Sequence, residues 1–460
     1  MCRGGSSVRR RGLKAMFAVA LLPLAVMATV GRSSARWAAP SEHGDEQHTA
    51  GVEPSVDGDS FEARCAFGLA QLNEKSYEAA AATLTTGLGM LPPPPLDQLA
   101  LRVAADARLG LARALTKLGR FDPALEQLNA LHAASEALPT SHRLRTQSSI
   151  KAERAAVLAC AGRLDEAVNE KKDALLGMDQ LLEAAGTDLQ AEGRFAAECA
   201  ELSRLLMWAG NTDEAMEVAA MAVSVSAGSG DGWSDPQQLP SGKFVPGLTA
   251  TPWHDSVSPD TGKRRLRKVS RPLAPAIKIL EAASVSALAT EFQQLVERGL
   301  VKEQNECLHA GGGQWSYTAV WGAHATVQVP EGDDGCNPMT PVACALASEL
   351  RHAQRFKLVR LGYSAVDAST HIRPHWGPTN SQIKAHLGLI VPTGPEGQSC
   401  ATLRVAGIER PWDAGHAMVF DDSFLHEVWN NCTSQRLVLQ AVFAHPDLYP
   451  GHGHETKAEL

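Results

Sequence analysis

Two hydrophobic periods divide this chain. From Phe61 to about Val225, apolar residues recur at three- and four-residue spacing, the mark of amphipathic helices. One further helical stretch covers 280–298. Beyond it the period shortens to two. Apolar runs at 317–321, 356–361, 385–391, 401–405, 417–420, 426–430 and 436–443 are separated by turns carrying Gly, Pro, Asp and Asn. Many short strands with regular turns fit a sandwich or a jelly-roll barrel. The expected fold class is α+β and multidomain, helical in its N-terminal half and β in its C-terminal half.

Within the helical half one pattern recurs, in Leu72–Ala79, Leu118–Ala124, Ala161–Ala167 and Ala209–Ala215. Each reads as the turn and second-helix start of a helical hairpin. Gly ends the first helix in three of the four, an acidic residue or Asp-Pro caps the second, and Ala lets the two helices pack closely. The pattern resembles the tetratricopeptide repeat, although Gly119, Gly162 and Gly210 are 43 and 48 residues apart, against about 34 in a standard repeat. Such an array predicts a curved solenoid with a surface suited to an extended peptide or a partner domain.

The flanks change the picture. Arg9, Arg10, Arg11 and Lys14 precede an apolar run from Ala15 to Val30. Residues 1–35 therefore read as a signal peptide or a single-pass membrane anchor. Residues 36–60 are polar and read as disordered, 61–228 as the helical region, 229–275 as a linker, 276–448 as the β domain and 449–460 as a tail. Either reading of the N-terminus places the chain in the secretory pathway, in the lumen of the endoplasmic reticulum or secreted after cleavage. The membrane would be met only through that segment. A net charge of −8 argues against nucleic acid as a partner. Nine cysteines are too few for a disulfide scaffold. Cys65, Cys160 and Cys199, in helical patterns, read as small buried apolar residues, whereas Cys336 and Cys344 lie close enough in a Gly- and Pro-rich loop for a local bridge. Asn431-Cys432-Thr433 is an N-glycosylation sequon.

The chemistry concentrates near the C-terminus. His375, His386 and His426 sit on or beside strand-like segments. Imidazole nitrogens suit Fe(II), and a facial site usually adds a carboxylate two residues after the first histidine. Gly377 stands at that position, so only two protein ligands are expected. Lys384 and His386 share one strand face, as do Arg436, Val438 and Gln440, while Ile383, Ala385 and Leu387 point the other way. Basic groups on a buried face call for an anion or a carboxylate partner. For Lys384 and Arg436, Asp421 and Asp422 are available partners, and both aspartates also read as turn formers.

The words carrying these residues are long: Gly247–Trp253, Trp315–Trp321, Tyr363-Ser364, His371–Asn380, His386–Leu389, Phe420–Trp429 and His445-Pro446. Together they resemble the aspartyl/asparaginyl β-hydroxylase family, Fe(II)- and 2-oxoglutarate-dependent oxygenases built on a double-stranded β-helix. The resemblance implies His375 and His426 as iron ligands without an acidic third. It implies Ser364 and Arg436 on one carboxylate of 2-oxoglutarate, and His386 with Lys384 near the other, Lys384 standing where the family has arginine. It implies a Cys336–Cys344 disulfide. It also implies O2-dependent hydroxylation of the β-carbon of Asp or Asn in protein substrates such as epidermal-growth-factor-like domains. The alternative reading is a scaffold whose oxygenase-like domain is weak or inactive.

Overall fold

The computed structural model describes residues 60–449, apart from 94–95, 186–188, 228–231, 258–263, 302, 305–306, 323–334 and 353–356. The signal or anchor segment and the C-terminal tail lie outside the described residues. Among those described, no single helix is long and apolar enough to cross a membrane. The chain divides into two compact units, Met1–Ser229 and Gly230–Leu460.

In the first unit the helices pair as hairpins: α1 (Phe61–Asn73) with α2 (Tyr77–Gly89), α3 (Gln98–Lys117) with α4 (Phe121–Ala134), α5 (Thr140–Cys160) with α6 (Leu164–Ala185), and α7 (Leu189–Trp208) with α8 (Thr212–Ser226). The turn glycines Gly119, Gly162 and Gly210 have φ of 71°, 76° and 84°, and Lys75 takes the same left-handed position at 61° in the first hairpin. This closes each first helix, as Arg120 shows by donating its N–H back to Leu115 O at 2.8 Å. Ala80, Ala124, Ala167 and Ala215, one turn into each second helix, are fully buried. The expected acidic caps are corrected. Arg120 and Asn211 hold the N-cap positions without side-chain bonds, and Asp122 and Asp213 sit in the first turn, where the helix dipole favours them. Cys65 and Cys199 are buried and free, as read from sequence. Cys160 is disulfide-bonded instead, because a helical pattern cannot tell a packed thiol from a bridged one.

The second unit is two five-stranded antiparallel sheets. The first has the order β10-β7-β12-β5-β4, comprising β4 (Trp315–Gly322), β5 (Leu358–Val366), β7 (Gln382–Ile390), β10 (Ala417–Phe420) and β12 (Arg436–Ala444). The second has the order β3-β6-β11-β8-β9, comprising β3 (His309–Gly311), β6 (Thr370–His375), β8 (Ala401–Val405), β9 (Ile408–Pro411) and β11 (His426–Asn430). The short pair β1 (Asp255–Val257) and β2 (Arg264–Leu266) precedes them. This is the jelly roll the alternation predicts. Ile383, Ala385, Leu387, Leu437, Leu439 and Phe443 cover one face of the first sheet. They pack against α9 (Ala274–Ala282), α10 (Val285–Glu297) and α11 (Pro341–His352). The opposite face meets the second sheet around Ile372, Leu403, Phe420, Val428 and Val438.

Three expectations change here. Residues 280–298 are two helices, broken at Ala283-Ser284, where Ser284 caps α10 through the Ala287 N–H. The 229–275 linker is largely structured: Trp253 and His254 are fully buried, and His254 donates its N–H to Val419 O at 2.9 Å. Cys344 lies on α11 rather than in a loop and is bridged to Cys336. A second bridge, Cys400–Cys432, was not foreseen and takes in the middle residue of the sequon.

Candidate active site

β6 and β11 run side by side in the second sheet, with His375 opposite His426 and Ile372 opposite Val428. Three residues of β6 thus span two of β11. Strict alternation would send Ile372 and His375 to opposite faces. The extra residue in this bulge turns His375 to the same side as His426, a re-aiming typical of bulges beside active sites. The two rings end 4.1 Å apart between centroids.

Both rings are fixed from behind. Nδ1 of His375 donates to Arg373 O at 2.8 Å, and Nδ1 of His426 donates to Phe424 O at 2.9 Å. A carbonyl only accepts, so each Nδ1 carries the hydrogen and each Nε2 keeps the lone pair a metal needs. Burial, then the neighbouring imidazole, holds His375 well below the usual histidine range. Burial with the charge of Lys384 pulls His426 down to about 3. Two neutral imidazoles with their Nε2 lone pairs on one side of the sheet are a donor set fit for a divalent transition metal.

No acidic third ligand comes from position 377. Gly377 donates its N–H to Asp422 O at 2.7 Å, and a Cβ there would overlap the Asp422 carboxylate. Asp422 thereby excludes every side chain from the place where a facial site carries its acid. Among the described residues, no group of three or more His, Cys, Asp or Glu is placed to hold a metal.

The first sheet supplies the charges. Arg436 is 1% exposed. Its Nη1 donates to Ser364 O at 3.1 Å, its guanidinium lies 4.6 Å over the Trp412 ring, and its Nε has no partner. No carboxylate among the described residues pairs with it, and burial pulls its pKa down to about 9. The structure thus brings Ser364 and Arg436 together, as expected, across β5 and β12. Ser364 Oγ accepts the Trp315 indole N–H at 3.1 Å. His386 lies directly across from Gln440, with 3.2 Å between Nε2 and Oε1, and its buried Nδ1 has no partner.

Lys384 takes the ion-pair reading: its Nζ sits 2.8 Å from Asp422 Oδ2. The turn-forming reading holds for Asp421, whose Oδ1 accepts the Ser423 N–H at 2.9 Å. Burial raises Asp421 to about 7. His371 belongs elsewhere. Its Nε2 meets Glu427 at 2.9 Å and its ring stacks on Trp429, with Arg404 also bonded to Glu427. It acts as a cross-strand tie. Trp412 was missed as a site residue, since nothing in the sequence around it marked it; Asp422 was read as a partner for the strand cations and as a turn former, not as the residue that crowds position 377.

Fold and site together define a class: a jelly-roll domain carrying two facing, buried histidines. Residues 282–446 match the family model described as aspartyl/asparaginyl beta-hydroxylase. The mouse protein named aspartyl/asparaginyl beta-hydroxylase is 33% identical over 153 residues, covering 33% of this chain and 19% of its own length. The ornithine lipid ester-linked acyl 2-hydroxylase of Rhizobium tropici is 37% identical over 84 residues, covering 18% of this chain and 29% of its own. The chain therefore matches well under half the length of these relatives. A solved prolyl-4-hydroxylase of Pseudomonas putida aligns over 37% of this chain and 98% of its own, at 17% identity and a TM-score of 0.26.

Proposed function

We propose that this protein is an Fe(II)- and 2-oxoglutarate-dependent hydroxylase acting on the β-carbon of Asp or Asn residues in protein substrates, epidermal-growth-factor-like domains being the first to try. Its place of work is the lumen of the secretory pathway. The observation that carries the reading is a pairing: two neutral imidazoles whose Nε2 atoms keep their lone pairs, beside a buried arginine with no carboxylate partner among the described residues.

His375 and His426 hold the metal. Arg436, with Ser364, holds the far carboxylate of 2-oxoglutarate by a charge-assisted bond in a site that excludes water. His386 lies on the same face for the near carboxylate. Bound iron and 2-oxoglutarate would supply the oxidising power for hydroxylation by dioxygen, with succinate and carbon dioxide as co-products. The residues contribute placement, a dry pocket and charge neutralisation. The Lys384–Asp422 pair keeps a net-neutral polar group beside the histidines in place of a ligating acid.

The helical hairpins favour a protein substrate, since stacked hairpins present an extended surface. A second reading, hydroxylation of a lipid acyl chain, is favoured by the similarity to the Rhizobium tropici protein. The test is direct. The full chain is given Fe(II), ascorbate and 2-oxoglutarate with peptides bearing Asp or Asn. Succinate release and a peptide heavier by one oxygen are expected. Tight 2-oxoglutarate binding with no product from any peptide or lipid would favour the scaffold reading.

A further inference from the structure

Gln440 is a polar residue buried on the inner face of β12, where the sequence places it in line with Arg436, and the role assigned to the site leaves it unused. Its side-chain oxygen Oε1 is placed 3.2 Å from Nε2 of His386. The other ring nitrogen, Nδ1, is buried and has no partner among the described residues. His386 itself is 7% exposed, with the Phe420 ring edge-on at 4.9 Å.

A neutral imidazole has one N–H and one lone pair, and the partner of one nitrogen decides the state of the other. An amide offers both roles. With its oxygen toward His386, Gln440 draws the ring hydrogen to Nε2 and leaves a lone pair on Nδ1. Turned by half a rotation, its NH2 donates to Nε2 and the hydrogen resides on Nδ1; oxygen and nitrogen are interchangeable in shape. A carboxylate has only lone pairs to offer, so it repels the first state and binds the second.

Resting on the iron and 2-oxoglutarate reading above, we propose that Gln440 is a positioning residue that donates its amide N–H to Nε2 of His386 and so commits the buried Nδ1–H to a carboxylate oxygen of 2-oxoglutarate. Burial, and then the positive charges of Arg436 and Lys384, keep His386 neutral, so the ring has a single hydrogen to place. An apolar side chain at position 440 would leave the choice to the ligand alone. One buried N–H bond to a charged oxygen is then lost from part of the population.

The experiment uses the full chain with histidine 15N-labelled and Zn(II) in place of Fe(II). Two-bond nitrogen–proton correlations report which ring nitrogen carries the hydrogen, and the His386 signals are assigned by their loss in His386→Asn. With 2-oxoglutarate bound, His386 is expected to carry its hydrogen on Nδ1. In Gln440→Leu, calorimetry should show 2-oxoglutarate binding weakened roughly tenfold to a hundredfold with Zn(II) affinity unchanged. A hydrogen on Nε2 in the complex, or a Leu variant that binds as tightly as the unaltered protein, overturns the inference. Should the Leu variant fail to fold, the spectrum of the unaltered protein decides alone. An unaltered protein that binds no 2-oxoglutarate sinks the underlying reading too, whereas binding with the wrong ring nitrogen protonated sinks only this one.

Discussion

Each unit buries a cation, and the two are treated in opposite ways. Lys171 on α6 is 4% exposed and reaches Glu198 on α7 in a close ion pair. Arg436 on β12 is 1% exposed and, among the described residues, meets a backbone carbonyl and an indole face but no carboxylate. Burying a charge is costly unless it is paired. In the helical unit the cost is met locally, by a carboxylate that belongs to the fold. In the jelly roll it is left open, beside a histidine nitrogen with no partner. The difference separates a charge that holds helices together from one that the proposed function assigns to the 2-oxoglutarate carboxylate.

The comparison breaks most sharply at the histidines. His375→Ala removes one of the two nitrogens proposed to hold the metal and should abolish turnover and Fe(II) binding together, read by succinate release and metal titration. Arg436→Met should raise the Kd for 2-oxoglutarate roughly a hundredfold. Because it deletes an unpaired buried charge, it should leave urea stability unchanged or higher. Next comes Gly377→Ala, whose added carbon meets the Asp422 carboxylate. It should cost about 1–3 kcal/mol of stability by overpacking, with metal affinity falling in parallel.

Acid sharpens the contrast further. Burial, with His445 beside it, pulls His254 down to about 3. The unfolded chain takes up this proton near the ordinary value of about 6.5, and the folded chain does not. Stability therefore falls as the pH drops below that value, by about 2 kcal/mol between pH 6.5 and 5, and a variant His254→Asn should flatten the slope. The smallest effect lies in the helical unit. Lys171→Met leaves Glu198, about a third exposed, without its partner and should cost about 1 kcal/mol, with 2-oxoglutarate affinity unaltered.

Much of this was legible in the sequence where the pattern is local. The turn glycines Gly119, Gly162 and Gly210 announce the hairpins because a left-handed position needs them. The alternation of Lys384 and His386 against Ile383, Ala385 and Leu387 gives the two faces of β7. What stayed hidden depends on distant partners. The strand bearing His375 went unseen because its bulge, with Arg373 and Pro374 in it, breaks the two-residue period. The helix α11 went unseen because its first N–H groups are capped from another helix, by Glu291 on Val342 at 2.6 Å and Ala343 at 3.1 Å. The pairing of Lys384 with Asp422 was one of two open readings, and only the packing of β7 against the β10–β11 turn chooses between them.

The most direct measurement is an anaerobic titration of the full chain with Fe(II) and then 2-oxoglutarate, followed by the visible charge-transfer absorption that a chelated 2-oxo acid gives on ferrous iron. One equivalent of each should develop the band in the unaltered protein. Arg436→Met should need far more 2-oxoglutarate to reach it, and His375→Ala should not develop it. Absence of the band from the unaltered protein, or its full persistence in His375→Ala, would contradict the two-histidine centre proposed for this chain.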